Sequence, residues 1–354
     1  MWAKRLKRLL DSLSKVDGFL ITSLPNIFWL TGFSGSAGVA LVTSQRRIFI
    51  TDFRYQEQSA AEVKGWEIVI AKKRLFDELP PLGLFSDGFK LGFEPDHLTY
   101  EEYQRLREVL PQAELVPIKG KVECLRTVKD EGEIQLMRET AKIADEAFSE
   151  ILGLIHPGVK EIELATELDY RMKKKGAAKT SFETIVASGW RAALPHGLPT
   201  EKEIKEGEMV IIDFGANYRG YCSDCTRTVF LGKPEEKQRE IYELVRRAQK
   251  AGLEGAKVGV KTSELDGISR QIIDDAGYGP NFGHSLGHGV GTLVHEEPRV
   301  SALSAEVLQE GMVVTIEPGV YLPDWGGVRI EDMVVIRKDG AELLTGLTKD
   351  LVQL

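Results

Sequence analysis

Cysteine is scarce in this chain, at three residues in 354. Three thiols cannot form a disulfide framework. With no leader-like start, they lead us to expect a reducing, cytoplasmic setting. The first residues, MWAKRLKRLLDSL, are basic and amphipathic, but they lack an apolar core run and a small-residue cleavage site. Long apolar runs are also missing. None approaches the ~18 residues that a membrane-spanning helix needs, so no membrane partner is expected. Positive charge is in deficit, with 46 Lys+Arg against 54 Asp+Glu and a formal charge of −8. That argues against a nucleic-acid partner, which would favour a basic face. Histidine is rare as well, at six, yet His284, His288 and His295 fall in one short segment. Composition does not account for that clustering.

The length exceeds the roughly 100–200 residues of an ordinary domain, so two domains are expected. Residues 1–118 alternate short apolar runs with helical patterns. The runs at 18–24, 37–43, 47–53, 66–71 and 90–94 read as strands. Helical patterns lie at 55–63 and 99–110, the second opened by a capping box of Thr99 and Glu102. This is the texture of an α/β domain. The polar stretch 118–130 reads as a junction.

Beyond it the order changes. A long helix (129–155) and a shorter one (161–175) precede strands at 181–188, 208–215 and 220–231. The order then recurs, with helices at 234–256 and 263–277 and strands at 312–320 and 327–338. Gly158–Leu164 (GVKEIEL) and Gly259–Leu265 (GVKTSEL) mark the repeat, each joining a long helix to a short one. Two copies are not a solenoid. They read as two similar helix–helix–strand halves, and ligand sites often lie where such halves meet.

Two carboxylate pairs sit in the strand runs. Asp213 and Asp224 would face each other across a hairpin centred between Tyr218 and Arg219, with Cβ atoms about 4.5–5.5 Å apart. Glu317 and Glu331 would do the same about Asp324. Apolar residues flank both pairs. Carboxylates that close repel unless a proton or cation lies between them, and their burial is costly. One pair could be a proton-sharing dyad. Two pairs beside a histidine cluster point to divalent metal. A lone histidine is more often a satisfied core residue, but here glycines at 283, 287, 289 and 291 let the backbone pass close to something. One imidazole with four carboxylates is an oxygen-rich set suited to Mn²⁺, Co²⁺ or Zn²⁺. Five ligands with bridging carboxylates suit two ions about 3.5–4 Å apart. Cys222 and Cys225 form a CxxC, but strand neighbours three apart point to opposite faces, so a structural role is favoured over a redox or zinc motif. Cys124 reads as isolated and inert.

The ordered set Asp213, Asp224, His288, Glu317 and Glu331 resembles that of the dinuclear metallopeptidases of the methionine aminopeptidase, aminopeptidase P and prolidase group, the M24 pita-bread family. The motifs that carry the likeness are IDFGxxxxGYxxDxTRT, SLGHGVGxxVHEEP, VVTIEPGVY and GVRIEDM. LTGFSGSAGVALVT followed by TDFRY is similar to a creatinase-type N-terminal domain. The resemblance implies an α/β (α+β) fold: a creatinase-type N-terminal α/β domain over 1–120 and a pita-bread domain of two similar helix–helix–strand halves over 121–354. It also implies two divalent metal ions per subunit, Mn²⁺ or Co²⁺ with Zn²⁺ as the other candidate, and a homodimer.

By position, the resemblance implies that Asp213 binds one metal and that Asp224 and Glu331 bridge both. His288 and Glu317 complete the coordination of the second metal. A metal-bridging hydroxide would attack the scissile carbonyl. Glu317 would shuttle a proton to the leaving nitrogen, His295 would stabilise the tetrahedral intermediate, and His196 would position substrate. His284 would support the site from behind or line the pocket. Arg299 is either a solvated surface residue or the group that binds the carboxylate of a dipeptide. Arg329 shares a strand face with Glu331 and could pair with a site carboxylate.

The implied activity is hydrolysis of the bond before proline in proline-containing peptides or dipeptides. The GSAG…TDFRY pattern leans towards aminopeptidase P, with Xaa-Pro dipeptidase (prolidase) as the alternative. Methionine aminopeptidase shares the metal set but lacks the N-terminal domain. A non-peptidase, creatinase-like or binding, is the remaining class.

Overall fold

The computed structural model describes residues 2–354. The chain forms two compact units, one ending at Arg126 and the other spanning Thr127–Leu354. Among the described residues, no helix is long and apolar enough to cross a membrane.

The first unit runs α1 (Trp2–Asp11), β1 (Gly18–Ile21), α2 (Leu24–Thr31), β2 (Val39–Thr43), β3 (Arg47–Asp52), α3 (Gln56–Glu62), β4 (Glu67–Ala71), β5 (Lys90–Phe93), α4 (Tyr100–Val109), β6 (Glu114–Pro117) and α5 (Lys121–Arg126). The strands make one mixed sheet, ordered β4-β3-β2-β1-β5-β6. Apolar side chains cover both of its faces. Phe19, Ile21, Ala40, Val42 and Phe49 enter one core, while Leu20, Val39, Leu41, Ile48 and Ile50 enter the other. Burial on both faces is why these strands read as continuous apolar runs rather than alternating ones.

The capping box at α4 forms, with Thr99 N donating to Glu102 Oε2 at 2.8 Å and Glu102 N to Thr99 Oγ1 at 3.2 Å. Helix α2 has no counterpart in the sequence reading. Its residues Asn26, Ile27, Trp29, Leu30 and Thr31 are buried, so no polar stripe marks it as helical. The polar stretch 118–130 also contains a helix, α5, whose Val122 packs into the first core.

The second unit holds α6 (Glu131–Ile151), α7 (Glu161–Lys174), β7 (Lys179–Thr180), β8 (Ile185–Ser188), β9 (Met209–Phe214), β10 (Ala216–Tyr218), β11 (Tyr221–Cys222), β12 (Cys225–Phe230), α8 (Glu236–Gly255) and α9 (Thr262–Asp275). It continues through β13 (Gly287–Gly289), β14 (Glu296–Val300), β15 (Val313–Ile316), β16 (Gly319–Leu322), β17 (Gly326–Arg329), β18 (Asp332–Arg337), β19 (Gly340–Leu343) and β20 (Val352–Gln353). One sheet is ordered β20-β12-β9-β8 and another β14-β13-β15-β18-β19.

The repeated motif performs the same task twice. Gly158 and Gly259 adopt φ of 94° and 88°, a conformation glycine takes without strain. Gly158 N donates to Ile204 O and Gly259 N to Leu308 O, both at 2.9 Å. Ile204 N and Leu308 N return bonds of 2.9 Å to Val159 O and Val260 O.

Three of the expected strands are interrupted. The run 220–231 breaks at residues 223–224, 312–320 at 317–318, and 327–338 at 330–331. Candidate ligands occupy each gap.

Asp145 on α6 has an unusual environment. Its Oδ2 accepts Gly346 N at 2.6 Å, while its buried Oδ1 has no hydrogen-bond partner. Burial is the main cause that pushes its carboxyl from 3.8 up to about 6. The folded protein therefore holds this proton more tightly than the unfolded chain, and stability falls as pH rises from 3.8 through 6. Asp145→Asn retains an oxygen for Gly346 N. It should raise stability by roughly 2–3 kcal/mol above pH ~7 and by less near pH 5. Thermal melts at the two pH values check this, and an equal gain at both would refute it.

Candidate active site

The site is built where the ladders let go. Strand β9 pairs with β12 so that Asp213 lies opposite Thr226, not Asp224. The hairpin turns at Arg219 and Gly220, with φ of 49° and 83°, the two left-handed residues that a tight I′ hairpin turn needs. That centre is one residue later than the expected one, which moves the partner by two and preserves the face. Asp224 is therefore a diagonal neighbour of Asp213, in the gap between β11 and β12.

The second hairpin keeps the expected register. Gly319 pairs with Arg329 on one side of the interruption, and Ile316 with Asp332 on the other. Glu317 and Glu331 fall between these pairs, opposite each other in sequence register. His288 lies on β13, which slips register between His288 and Gly289.

Ligand-competent atoms of Asp224, His288 and Glu331 all lie within 4.8 Å of one another, the one such group of three or more among the described residues. His288 Nε2 is 3.5 Å from Asp224 Oδ2 and 3.4 Å from Glu317 Oε1. Asp213 is near enough for its charge to act on Asp224 and Glu331, and Arg329 Nη2 donates to its Oδ2 at 2.7 Å.

Several residues absent from the sequence reading orient this set. Thr226 Oγ1 donates to Glu331 Oε2 at 2.7 Å and accepts from Arg329 Nε at 2.9 Å. Thr315 Oγ1 donates to Glu317 Oε1 at 3.0 Å and accepts His288 N at 3.1 Å. Tyr321 OH accepts from Arg329 Nη1 at 2.8 Å and lies 3.0 Å from His284 Nε2. A signal for the threonines exists: each lies two residues from a candidate ligand, Thr226 after Asp224 and Thr315 before Glu317. Such spacing shares a strand face.

The hydrogen bonds set the imidazole tautomers. His288 Nδ1 is 3.1 Å from Gly289 O, an acceptor, so Nδ1 carries the proton. Its Nε2 then offers a lone pair to two carboxylates. Burial lowers the pKa of His288, which favours this neutral form. His284 repeats the pattern, with Nδ1 2.8 Å from Ser285 O. Its Nε2 thus accepts from Tyr321 OH, and burial lowers its pKa too.

A lone pair facing carboxylate oxygens is unfavourable without a proton or a cation between them. Asp213 Oδ1, buried and without a hydrogen-bond donor, is a further atom awaiting positive charge. Burial first, and neighbouring carboxylates second, raise Asp224 and Glu331 well above the usual carboxylate range. Burial also raises Glu317. Burial would lower Arg329, but Tyr321, Asp213, Glu317 and Glu331 outweigh it and keep the guanidinium charged. The donor set fits hard or borderline divalent ions.

The remaining candidates spread outward. The His295 ring lies 4.3 Å, centroid to centroid, from His288, and the side chain reaches solvent. His196 is exposed, near enough that its charge lowers the His295 pKa, below the larger effect of burial. Arg299 is exposed and pairs with His288 across the β13–β14 ladder. The glycines flanking His288 serve strand crowding. A Cβ at Gly287 would meet Thr315 O at 2.0 Å, and one at Gly289 would meet Glu297 O at 2.3 Å. Gly283 has nothing within 4 Å. Cys222 and Cys225 are free, buried thiols. Cys225 Sγ lies 3.5 Å from Glu331 O, and Cys222 Sγ accepts from Asn217 Nδ2 at 3.3 Å.

Two family models match the chain: metallopeptidase family M24 over residues 135–338, and the creatinase/prolidase N-terminal domain over residues 4–128. The chain belongs to metallopeptidase family M24. A Pyrococcus horikoshii protein named Xaa-Pro dipeptidase is 41% identical, with 99% of each chain covered. A solved Xaa-Pro dipeptidase structure from Bacillus anthracis is 45% identical, covers 100% of both chains and superposes with a TM-score of 0.96. An X-Pro aminopeptidase structure from Thermotoga maritima is 37% identical over 97% of this chain and 99% of that one, with a TM-score of 0.91. The mixed α/β architecture and the creatinase-type first domain expected from the sequence are thereby borne out. As a family M24 metallopeptidase the chain is a hydrolase, and the family implies divalent metal at the cluster.

Three outcomes follow for the cluster. Without metal, Asp224 and Glu331 retain protons that an incoming cation must displace, so metal affinity should rise with pH across the weakly acidic range. Calorimetric titration at several pH values checks this, and a pH-independent affinity would refute it. Asp224→Asn should lower metal content and activity together. Thr226→Val keeps the shape but loses both hydroxyl bonds, and should weaken metal affinity about 10–100-fold. Unchanged metal content in both variants would overturn the assignment.

Proposed function

We propose that the chain is a dinuclear metal-dependent Xaa-Pro dipeptidase. The observation that carries the metal-dependent reading is the His288 lone pair facing Asp224 and Glu317 beside the donor-less Asp213 oxygen. In this reading Asp213, Asp224, His288, Glu317 and Glu331 hold two divalent ions, Mn²⁺ or Co²⁺ with Zn²⁺ as the other candidate. Bound there, the ions would supply Lewis-acid polarisation of the scissile carbonyl and an activated water near neutral pH.

An Xaa-Pro bond has a tertiary-amide nitrogen with no N–H, so a peptidase that grips an N–H cannot select it. Glu317 is suited to carry a proton to that nitrogen, because burial raises its pKa and Thr315 orients its carboxyl. His295, beside His288 and open to solvent, is suited to stabilise the developing oxyanion. His196 is suited to position the substrate. Arg329 and Tyr321 hold Asp213 and His284 in place.

The motif lean towards aminopeptidase P gives way here. Relatives 41% and 45% identical bear the dipeptidase name, whereas the X-Pro aminopeptidase is 37% identical. Arg299, across the ladder from His288, suits the free carboxylate that only a dipeptide carries so near the scissile bond. Aminopeptidase P remains the second reading, supported by the Thermotoga neighbour.

A peptide-length series under Mn²⁺, Co²⁺ and Zn²⁺ separates the two. Xaa-Pro should be cleaved faster than any Xaa-Pro-Yaa, and the reverse order would establish the aminopeptidase. If the fully metallated protein cleaves no proline peptide, the reading falls. Arg299→Leu should raise KM for the dipeptide about tenfold and leave a tripeptide, if cleaved, little changed.

A further inference from the structure

Glu161 opens α7 inside the repeated motif, and its side chain is fully buried. Its two carboxylate oxygens divide their work. Oε1 accepts Ser188 N and Ser188 Oγ, both at 2.8 Å. Oε2 accepts Arg191 Nη1 at 2.8 Å, Thr200 Oγ1 at 2.9 Å and Thr200 N at 3.2 Å. Ser188 ends β8, and Thr200 lies at the far end of the segment that follows. One carboxylate thus ties both feet of the loop 189–199. Lys202 Nζ strengthens the near foot, donating to Ser188 Oγ at 2.8 Å, and Arg191 Nη2 braces the far side through Leu198 O at 2.9 Å.

The loop's middle touches the site. Arg329 Nη1 donates to Pro195 O at 3.2 Å while Arg329 Nη2 holds Asp213. His196 is the next residue. The loop also exposes Trp190, Leu194 and Leu198, three large apolar side chains unusual in a solvated turn.

The second half does this differently. The position matching Glu161 is Thr262, which donates its N–H to Glu306 O at 2.9 Å and its hydroxyl to Ser304 Oγ at 2.8 Å. The bridge Lys160–Glu203 closes residues 189–202 after β8, whereas Lys261–Val307 closes only 301–306 after β14. The longer loop, the histidine and the charged anchor belong to the same half.

We infer that Glu161 is a positioning residue for the substrate. It fixes the loop 189–199 and, through it, the placement of His196 beside the metal cluster. This deepens the proposed peptidase reading and rests on it for the kinetic part. Five donors converge on one carboxylate, so its replacement by an amide cannot serve both feet. Whichever way the amide turns, one foot meets an NH₂ group instead of an acceptor.

The test uses the full-length, metal-loaded protein. Glu161→Gln should keep the metal content of the parent. KM for an Xaa-Pro dipeptide should rise about tenfold while kcat changes less than about threefold. His196→Ala should raise KM in the parent but add little in the Glu161→Gln background, because both changes remove the same placement. Trypsin should nick the variant within 189–202 about tenfold faster, since Arg191 loses its anchor. That last readout needs no substrate, so it judges the clamp even if proline dipeptides are not cleaved. Additive effects of the two substitutions, or unchanged tryptic nicking, would overturn the inference. If Glu161→Gln does not fold, Thr200→Val removes two bonds at the loop's far foot, the hydroxyl's own to Glu161 and the one it accepts from Lys202 N. It should give the same pattern at roughly threefold, and a parent-like Thr200→Val would overturn the inference equally.

Discussion

The candidate site in the second unit rests on one electrostatic constraint: several carboxylates are kept together out of water. Asp224 and Glu331 are buried, with Asp213 and Glu317 close enough for their charges to be felt. Buried like charges are tolerated only with protons or cations among them. The surrounding hydroxyls and the Arg329 guanidinium satisfy some lone pairs, but they leave the Nε2 of His288 and one oxygen of Asp213 without donors. Thr226 and Thr315 hold Glu331 and Glu317 in place around those atoms.

Much of the architecture was legible beforehand because it rests on periodicity and on turn residues. The long helices follow their apolar stripes, and the paired GVKxxEL motifs carry equivalent backbone bonds in both halves. Helix α2 was not legible, since a helix buried nearly all round shows no stripe. The strand interruptions were not legible either. MVVTIEPGV reads as one run, yet the ladder stops at Glu317, where Pro318 has no N–H to continue it.

The site was legible as a set of residue types and partly as geometry. Glu317 and Glu331 keep the expected register, because Pro323 through Gly327 fix a compact turn. Asp213 and Asp224 miss theirs by two, since the turn closes on Arg219 and Gly220 instead of one residue earlier. The error leaves both on one face, which is why the cluster still assembles. Tyr321 and Glu161 were invisible for a different reason. A tyrosine hydroxyl between Arg329 and His284, or a carboxylate gathering residues from both ends of a loop, depends on contacts that no local pattern encodes.

The division of the proposed ligands between the two halves has a consequence for how the molecule comes together. Asp213 and Asp224 come from the first half, and His288, Glu317 and Glu331 from the second. The bond from Thr226 to Glu331 spans 105 residues. Closing so long a loop is entropically expensive, though the cost grows only slowly with length. The charged centre thus depends on contacts that join the two halves. An ion bound there would act as a clasp, holding the two similar halves in register.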